Sequence, residues 1–272
     1  MGAVSIATSW QQRLATAPHA RCRLGEGRLV EPCQRSGPRT ARRVTPQPIL
    51  RRQRAGSTHM NFAFSEEQET LREFVRQFLE NYSPETTVRE LMETDAGYDA
   101  ETWSMMAEQL GLQSLIIPEE YGGQGFGYVE LIVVLEEMGR ALLCAPFFST
   151  VVLAANTLIH AGDETAASAL LPGIASGETI ATLAFTEESG RWDEGGITME
   201  AAADGDGWTL SGSKMYVLDG HIADLVLVAA RTAGGVSLFQ VAGDAEGLTR
   251  TALATMDMTR KQARLDFDGV RP

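Results

Sequence analysis

The stretch of this chain with the clearest potential for chemistry is residues 118–127, in which four glycines fall within six positions. Glycine costs chain entropy on folding, so a dense cluster indicates a sharp turn or a backbone that approaches another group closely. Such a loop can also bind the phosphates of a dinucleotide. Gly123 and Gly125 supply the first two glycines of that fingerprint, but Tyr128 stands at the third position and no acidic residue follows a second strand. A dinucleotide fingerprint is therefore excluded, and a tight connection between packed elements and a ligand-contacting loop both remain open.

Metal and thiol chemistry find little support in the sequence. The three cysteines show neither a disulfide framework nor metal-site spacing, and the apolar run around Cys144 predicts a small buried side chain. Residues 204–207 resemble half of a calcium loop but lack the other ligands, so we predict a hairpin turn there. His160 lies near the end of a predicted helix, where we expect a surface histidine stabilised by the helix dipole.

Charge is unevenly distributed along the 272 residues, whose formal net charge is −13. Residues 1–60 hold eleven Arg, no Lys and two acidic residues, which gives +9 and leaves −22 for residues 61–272. The basic leader, residues 1–59, shows no periodic run, so we predict no fixed structure for it. Three interpretations remain open: translated sequence upstream of a true start at Met60, an Arg-rich transit peptide, or a basic tail that binds nucleic acid or membrane. The abrupt change to an acidic, patterned sequence favours the first.

The composition also bounds the class of protein. The charge of −22 over residues 61–272 argues against nucleic acid as a partner. No apolar stretch reaches the roughly eighteen residues that a membrane span needs. The sequence therefore predicts a protein without a membrane span, for which the cytoplasm is the default compartment.

The first half of the patterned region, residues 60–178, has the period of α-helices. Ser65 and Gln68 form a capping-box pattern at the start of the first helix. The apolar positions of that helix are Leu71, Phe74, Val75, Phe78 and Leu79. Further helices are predicted at residues 84–92, 99–110, 128–143, 146–162 and 164–174. The fourth helix along the chain is apolar all round, which predicts burial on most sides, and Glu136 and Arg140 are spaced for an ion pair near its end.

From residue 179 onward the period changes to two, which is typical of β-strands. Strands are predicted at residues 180–186, 197–202, 208–210, 216–218, 225–229, 236–241 and 264–267. Turn sequences rich in Asp and Gly join them. The sequence therefore predicts an α+β fold, with an all-helical domain at residues 60–178 and an antiparallel β domain at residues 179–272.

Several strings of residues, taken in order, resemble the acyl-CoA dehydrogenase family. Residues 118–125 are similar to the family's loop at the acyl-binding cleft, and residues 183–187 and 210–217 resemble its two flavin-contacting segments. The other matching strings are residues 65–68 and 74–78 (its first helix), 135–140 (its long cavity-lining helix) and 267–270 (the strand that closes its β domain). Each string is weak by itself, but their order and spacing over residues 60–272 are specific.

The resemblance implies a helical N-terminal domain and a β-barrel-like middle domain, followed in the family by a C-terminal four-helix domain that this chain stops before. Family members use FAD to oxidise the α–β bond of acyl-CoA thioesters in lipid or steroid catabolism. Their catalytic glutamate usually lies in the C-terminal domain, so we expect no catalytic base in this chain. The implied flavin contacts are Phe185, Thr186, Trp192, Tyr216 and Leu218, and the implied acyl contacts are Tyr121, Gly122, Gly123 and Gly125.

Two of the implied flavin contacts depart from the family pattern. Trp192 stands where the family has a small serine, and Leu218 stands where it has a Thr or Ser that bonds the flavin ring. Thr186 keeps its hydroxyl, and Tyr216 replaces another aromatic residue. Because each lost hydrogen bond is worth about 1 kcal/mol, two losses would weaken flavin binding by roughly tenfold to a hundredfold. The resemblance thus suggests a subunit with a degenerate flavin site that acts with a homologous acyl-CoA dehydrogenase subunit.

Two alternatives to a degenerate subunit remain open. One is an ordinary homomeric dehydrogenase with relaxed flavin contacts, and the other is an acyl-CoA-binding or structural subunit without flavin chemistry. An acidic surface does not attract the polyanionic CoA, so any contact with CoA must be local. The candidate cations are Arg191, Lys214, Arg260, Lys261 and Arg264, each of which is otherwise expected to be a solvated surface charge.

Overall fold

The computed structural model describes residues 63–205 and 207–272 of the chain. The predicted basic leader and the proposed start at Met60 lie outside the described residues. Within them, a block of helices is followed by a curled, mixed β-sheet, which confirms the α+β fold class.

The helical block contains six α-helices and a π-helix within the described residues. The helices are α1 (Glu66–Tyr82), α2 (Glu85–Glu93), α3 (Ala100–Glu108), α4 (Tyr128–Arg140), α5 (Asn156–Ala161) and α6 (Glu164–Ala175), and the π-helix, Phe148–Ala155, directly precedes α5. The predicted capping box is confirmed: the Gln68 amide donates to Ser65 Oγ at 3.2 Å, and the Ser65 amide donates to Gln68 Oε1 at 2.9 Å. Periodicity predicted one continuous helix over residues 146–162, because it does not distinguish a π-turn from an α-turn.

The core of the helical block lies largely between α1 and α4. Val75 and Leu79 of α1 are fully buried there. Two expectations about this core are wrong. Phe74 is 58% exposed, because it lies at the edge of the buried stripe of α1. Helix α4 is not buried on most sides either, since Val129 and Ile132 are exposed; its apolar sequence therefore leaves one face open.

The ion pairs around α4 differ from the predicted one. Glu136 pairs with Arg72 of α1 at 2.6 Å, while Arg140 pairs with Glu137 at 2.7 Å. Arg76 of α1 donates two hydrogen bonds to Glu137. Spacing within one helix predicted a Glu136–Arg140 pair, but the packing of α1 beside α4 supplies competing partners.

Seven strands form one sheet in the part of the chain that the structure describes. They are β1 (Ala181–Ala184), β2 (Glu200–Asp204), β3 (Gly207–Leu218), β4 (Leu225–Thr232), β5 (Gly235–Ala242), β6 (Leu248–Leu253) and β7 (Gln262–Val270). Their order is β1-β4-β2-β3-β7-β6, with β5 paired to β4. The expectation of an antiparallel sheet is wrong in part, because β1 and β2 each pair with β4 in parallel. The β2–β3 hairpin lies between β1 and β4 in the sequence and provides the crossover that parallel pairing requires.

Three further strand predictions have clear outcomes. Residues 208–210 and 216–218, predicted as separate strands, belong to the single strand β3. Strand β6 was not predicted, because most of its side chains are exposed and it lacks an alternating apolar pattern. The hairpin turn predicted at residues 204–207 is confirmed, since Asp204 of β2 faces Gly207 of β3.

The helical block and the sheet share a buried cluster. Apolar side chains from the π-helix, α5, α6, β1 and β4 meet there, among them Leu158, Leu171 and Leu227. The Thr150 hydroxyl in the π-helix also bonds the backbone of Ala181 on β1 at 3.1 Å. The core therefore continues across residue 178, and a division into two domains at that residue stays a prediction.

Candidate functional site

The two segments that resemble flavin-contacting segments, residues 183–187 and 210–217, lie side by side. The first ends β1 and begins the loop after it, residues 185–193, and the second lies in β3. The Met215 amide donates a hydrogen bond to the Thr186 carbonyl at 2.8 Å. One residue further along the loop, Glu187 accepts a hydrogen bond from Lys214 Nζ at 2.7 Å. These neighbouring contacts fix the loop against the strand.

The contact between Glu187 and Lys214 is a buried ion pair. Lys214 is 0% exposed, and burial lowers the pKa of its ammonium group, an effect that Glu187 opposes. Glu187 also accepts hydrogen bonds from the amides of Thr198 and Met199, at 2.9–3.0 Å, and from the Thr198 hydroxyl. Burial by itself raises the pKa of Glu187, but the hydrogen bonds from Lys214 and Thr198 outweigh it and bring that pKa to about 2. The carboxylate is therefore ionised and fully bonded at neutral pH.

A β-bulge in β3 turns Tyr216 out of the sheet. Lys214 pairs with Leu265 and Val217 pairs with Ala263, so three steps along β3 face two steps along β7. Tyr216 adopts a left-handed φ of 57° and is 48% exposed. Positive φ is rare for a bulky residue, and bulges are frequent beside binding sites. The predicted stacking residue is thus presented outward by an uncommon backbone conformation.

Leu218, the residue expected to bond the flavin ring, lines a cavity of about 580 Å³. The other residues of its lining are Phe148, Ala254, Thr255, Met256, Asp257, Arg260 and Gln262. The Leu218 carbonyl accepts a hydrogen bond from the Thr182 hydroxyl at 2.6 Å, which fixes the backbone of this cavity wall. We call this space the Leu218 cavity.

Trp192 lies outside the Leu218 cavity. Its indole is 81% exposed and meets the half-buried Phe185 ring edge-on, with centroids 5.7 Å apart and planes at 87°. Such edge-to-face pairs are worth about 0.5–1.5 kcal/mol beyond the area that they bury. The structure therefore brings Phe185 and Trp192 together as an aromatic pair on the loop.

The glycine-dense loop has structural reasons for its glycines. A Cβ on Gly123 would lie 1.8 Å from the Ile117 carbonyl oxygen, so no larger residue fits there without a shift of the backbone. Gly122 and Gly125 have left-handed φ values of 82° and 67°, and the Gly125 amide donates to the Ile117 carbonyl at 2.9 Å. The loop folds back on the segment before it, which supports a tight connection between packed elements.

The predicted acyl contacts and flavin contacts are not brought into one cavity by the described residues. Tyr121, at the end of a short 3₁₀ helix (Glu119–Tyr121), packs against the apolar cluster that includes Ile117 and Leu183. Neither it nor the three loop glycines line the Leu218 cavity. Contact of Tyr121, Gly122, Gly123 and Gly125 with an acyl group stays a prediction.

The five candidate cations for CoA all have partners within the protein. Lys214 is wrong as a candidate and as a solvated surface charge, because it is fully buried. Arg260 donates to the Leu143 carbonyl at 2.7 Å, and Lys261 donates to the Met92 carbonyl at 2.6 Å, so both tie the segment before β7 to the helical block. Arg191 pairs with Asp193, and Arg264 pairs with Asp266. Of the five, Arg260 lines the Leu218 cavity.

Two predictions about single side chains are confirmed. Cys144 is buried and free, and His160 is an exposed residue whose Nε2 lies 2.6 Å from the Tyr128 hydroxyl. Among residues 63–205 and 207–272, no group of three or more His, Cys, Asp or Glu is arranged to hold a metal ion. The helices in the same ranges are all too short or too polar to cross a bilayer.

Sequence reasoning missed two residues beside the Leu218 cavity. Ser149 Oγ and Asp219 Oδ2 lie 2.6 Å apart, and they directly follow two residues of the cavity lining. Burial raises the pKa of Asp219 to about 6, while the bond to Ser149 and the charge of Arg260 act in the opposite direction. The Asp-Gly dipeptide at residues 219–220 signals only a turn, so nothing local in the sequence pointed to this contact.

Two family models match the chain, and together they span most of the described residues. The N-terminal domain of acyl-CoA dehydrogenase matches residues 65–178, and the middle domain of acyl-CoA dehydrogenase matches residues 182–270. The chain therefore belongs to the acyl-CoA dehydrogenase family.

Individual relatives agree with this assignment. Acyl-CoA dehydrogenase FadE27 of Mycobacterium tuberculosis is 36% identical over 61% of this chain and 43% of that protein. A chain of the ChsE4-ChsE5 complex from Mycobacterium tuberculosis superposes with a TM-score of 0.71 at 31% identity, covering 78% of this chain and 57% of that chain. The Tcur3481-Tcur3483 steroid ACAD, solved as a variant, gives a TM-score of 0.67 at 32% identity over 76% and 56% of the two chains. The chain spans about half the length of the curated relatives it matches.

FAD is the cofactor that the family implies, and the residues at the candidate site fit its ring in part. Thr186 is 5% exposed and keeps the hydroxyl that the family pattern directs to a polar atom of the ring. Tyr216 offers an exposed aromatic face, and the Leu218 cavity offers space. Positions 192 and 218 offer no hydroxyl to a ligand, because they carry an indole and an isobutyl group.

Proposed function

We propose that this chain is a subunit of an acyl-CoA dehydrogenase assembly in lipid or steroid catabolism, and that it acts with a homologous partner subunit. The reaction is the FAD-dependent α,β-dehydrogenation of an acyl-CoA thioester, and the compartment is the cytoplasm. The observation that carries the proposal is a contrast within the candidate site. The backbone framework is intact, with the Glu187–Lys214 pair and the bulge at Tyr216, but Trp192 and Leu218 lack hydroxyls that a flavin site of this family uses.

A preserved framework with altered contact side chains is expected of a subunit whose own flavin site has degenerated. Two structural neighbours, the ChsE4-ChsE5 complex and the Tcur3481-Tcur3483 steroid ACAD, are each named after two components. They support an assembly in which this chain has a homologous partner.

Four side chains of the candidate site have parts in the proposed reaction. FAD would supply the acceptor for the hydride that leaves the β-carbon of the thioester. The Thr186 hydroxyl and the Tyr216 ring would hold and orient the flavin ring, and the apolar side chains of Phe148 and Leu218 would exclude water from the Leu218 cavity. The base that removes the α-proton is not assigned to a residue of this chain.

A second candidate function is an acyl-CoA-binding or structural subunit without flavin chemistry. The position of Trp192 favours this second function. Its indole contacts Phe185 and occupies volume on the loop at the position where the family has a small serine. Both functions use the same fold, so only flavin content and activity separate them.

Expression of the 272-residue chain alone is expected to yield protein without bound flavin and without dehydrogenase activity. The absorbance spectrum of the purified chain, size-exclusion chromatography and a dye-reduction assay with acyl-CoA measure these properties. Co-expression with a homologous acyl-CoA dehydrogenase subunit from the same genome is expected to give a flavin-containing, active complex, and the partner expressed alone is the control.

Two outcomes would count against this proposal. A flavin-loaded, active homotetramer from the chain alone would contradict a degenerate subunit and establish an ordinary homomeric dehydrogenase. A stable complex that binds acyl-CoA but never reduces the dye would support the structural subunit instead.

A further inference from the structure

A hydrogen bond between two side chains joins two segments that line the Leu218 cavity. Phe148 of the π-helix and Leu218 of β3 both line this cavity, and we call these two segments of its lining the Phe148 wall and the Leu218 wall. The residues that directly follow them, Ser149 in the π-helix and Asp219 after β3, meet at 2.6 Å between Oγ and Oδ2. The bond therefore holds the end of β3 against the helical block at the edge of the cavity.

The backbone around Asp219 leaves its carboxyl little freedom to move away. Asp219 has a left-handed φ of 52°, and its amide donates to the Lys261 carbonyl at 3.0 Å. Its own carbonyl accepts hydrogen bonds from the amides of Ile222 and Ala223, both at 3.1 Å. Ser149 on the other side is fully buried.

Ser149 can make both of its hydrogen bonds at once only if Asp219 carries a proton. Ser149 Oγ lies 3.0 Å from the Pro146 carbonyl oxygen as well as 2.6 Å from Asp219. A hydroxyl has one hydrogen, and a carbonyl oxygen can only accept. When Ser149 donates to Pro146, the contact with Asp219 is a hydrogen bond only if the carboxyl is protonated and donates. When Asp219 is ionised, Ser149 has to turn its hydrogen to Asp219 and gives up the bond to Pro146.

The charged groups around Asp219 do not compensate an ionised carboxylate well. Arg260 is the cation that acts on it, but its guanidinium is already bonded to the Leu143 carbonyl. The ammonium group of Lys261 is bonded to the Met92 carbonyl. The π-helix Phe148–Ala155 and strand β1, which pack at this point, contain no charged residue. Burial consequently raises the pKa of Asp219 to about 6.

We propose that Asp219 is a positioning residue whose protonated carboxyl clamps the Phe148 wall of the Leu218 cavity to the Leu218 wall, and that loss of this proton loosens the clamp. The inference goes beyond the proposed function, because it requires neither flavin nor acyl-CoA. The folded-state pKa lies above the ordinary value of 3.8. The clamp therefore contributes its full stability below about pH 4 and loses it as the pH rises through about 6.

The test compares thermal unfolding of the full-length chain and of Asp219→Asn between about pH 4.5 and about pH 7.5. Asparagine has the same shape, and its amide donates to Ser149 Oγ at every pH. We expect the melting temperature of the variant to exceed that of the unmodified chain by roughly 3–6 °C at the upper pH and to approach it at the lower pH. Parallel melting profiles of the two proteins over this range would overturn the proposal.

Ser149→Ala provides the matched second variant. In its background, Asp219→Asn is expected to give no more than about half of its gain at the upper pH, because the acceptor of the amide is absent. An undiminished gain would show that the Asp219→Asn substitution acts by removing a charge and not through the clamp.

Infrared difference spectra give a readout that does not depend on folding of the Ser149 variant. Near pH 5, the unmodified chain minus Asp219→Asn should show the C=O stretch of a protonated carboxylic acid, and the band should disappear as the pH rises through about 6. Absence of the band near pH 5 would show that the Asp219 carboxyl is not protonated, and would refute the proposal directly.

Discussion

Replacement of Glu187 by Gln is expected to lower the free energy of unfolding by about 3–5 kcal/mol, the usual cost of removing one partner from a buried ion pair. The change leaves Lys214 fully buried and facing a neutral amide. Burial already lowers the pKa of Lys214, so the variant must either keep a buried unpaired charge or release the proton, and both are unfavourable. Urea denaturation at neutral pH, followed by circular dichroism, measures the loss.

The control for this prediction is Lys214→Met, which removes the other partner. Glu187 would then keep three donors, the amides of Thr198 and Met199 and the Thr198 hydroxyl. Because these donors still satisfy the carboxylate, we expect a smaller loss of about 1–3 kcal/mol. The reverse order, with Lys214→Met more damaging than Glu187→Gln, would show that the carboxylate and not the ammonium group is the less well supported partner.

Replacement of Glu137 by Gln is expected to cost about 2–4 kcal/mol at neutral pH and to flatten the dependence of stability on acidic pH. Glu137 is buried between α1 and α4. It accepts hydrogen bonds from Arg76 at 3.0 and 2.7 Å and from Arg140 at 2.7 Å. The bonds from Arg76, with help from Arg140, outweigh burial and lower the pKa of Glu137 to about 2. Both arginines are themselves half exposed, so the cost falls below the full value of that pKa shift.

The sign of the pH effect follows from the direction of this shift. The folded-state pKa of about 2 lies below the ordinary value of 4.5, so the stabilisation is complete above about pH 5 and is lost as the pH falls toward 2. Glu136→Gln is the matched control. Glu136 is 57% exposed, and its largely buried partner Arg72 keeps Glu69 and Glu137 as partners when Glu136 is neutralised. A pair that is open to solvent on one side is expected to be worth about 0–1 kcal/mol. Equal, small losses for the two variants would mean that the buried carboxylate does not bind α1 to α4.

The sequence was sufficient for features that depend on neighbouring residues. The capping box of Ser65 and Gln68, the helices and most of the strands rest on residues a few positions apart, and the family resemblance rests on short strings in a fixed order. The order of the strands in the sheet could not be predicted from such local patterns, because the parallel pairing of β1 with β4 joins segments more than forty residues apart. The bulge at Tyr216 interrupted the period of β3, and one strand was therefore predicted as two.

The candidate site shows the same limit at the level of side chains. The polar residues 211–214 give no sign that the Lys214 side chain is fully buried, because its partner Glu187 lies 27 residues earlier in the sequence. Ser149 and Asp219 are 70 residues apart, and neither belongs to a recognisable motif. Burial in a shared core, and not local pattern, decides which of these polar groups meet.

The dissociation constant of FAD most directly tests the central claim, that the backbone framework of a flavin site remains while the flavin contacts at positions 192 and 218 have been lost. It is measured by fluorescence titration for the full-length chain and for the double variant Trp192→Ser with Leu218→Thr. Trp192→Ser with Leu218→Val is the matched control, since valine has the shape of threonine without its hydroxyl. We predict that the threonine variant binds FAD roughly tenfold to a hundredfold more tightly than the unmodified chain, and that the valine variant recovers only part of this gain. Binding by the unmodified chain that is already as tight as that of the threonine variant would contradict the loss of flavin contacts at Trp192 and Leu218.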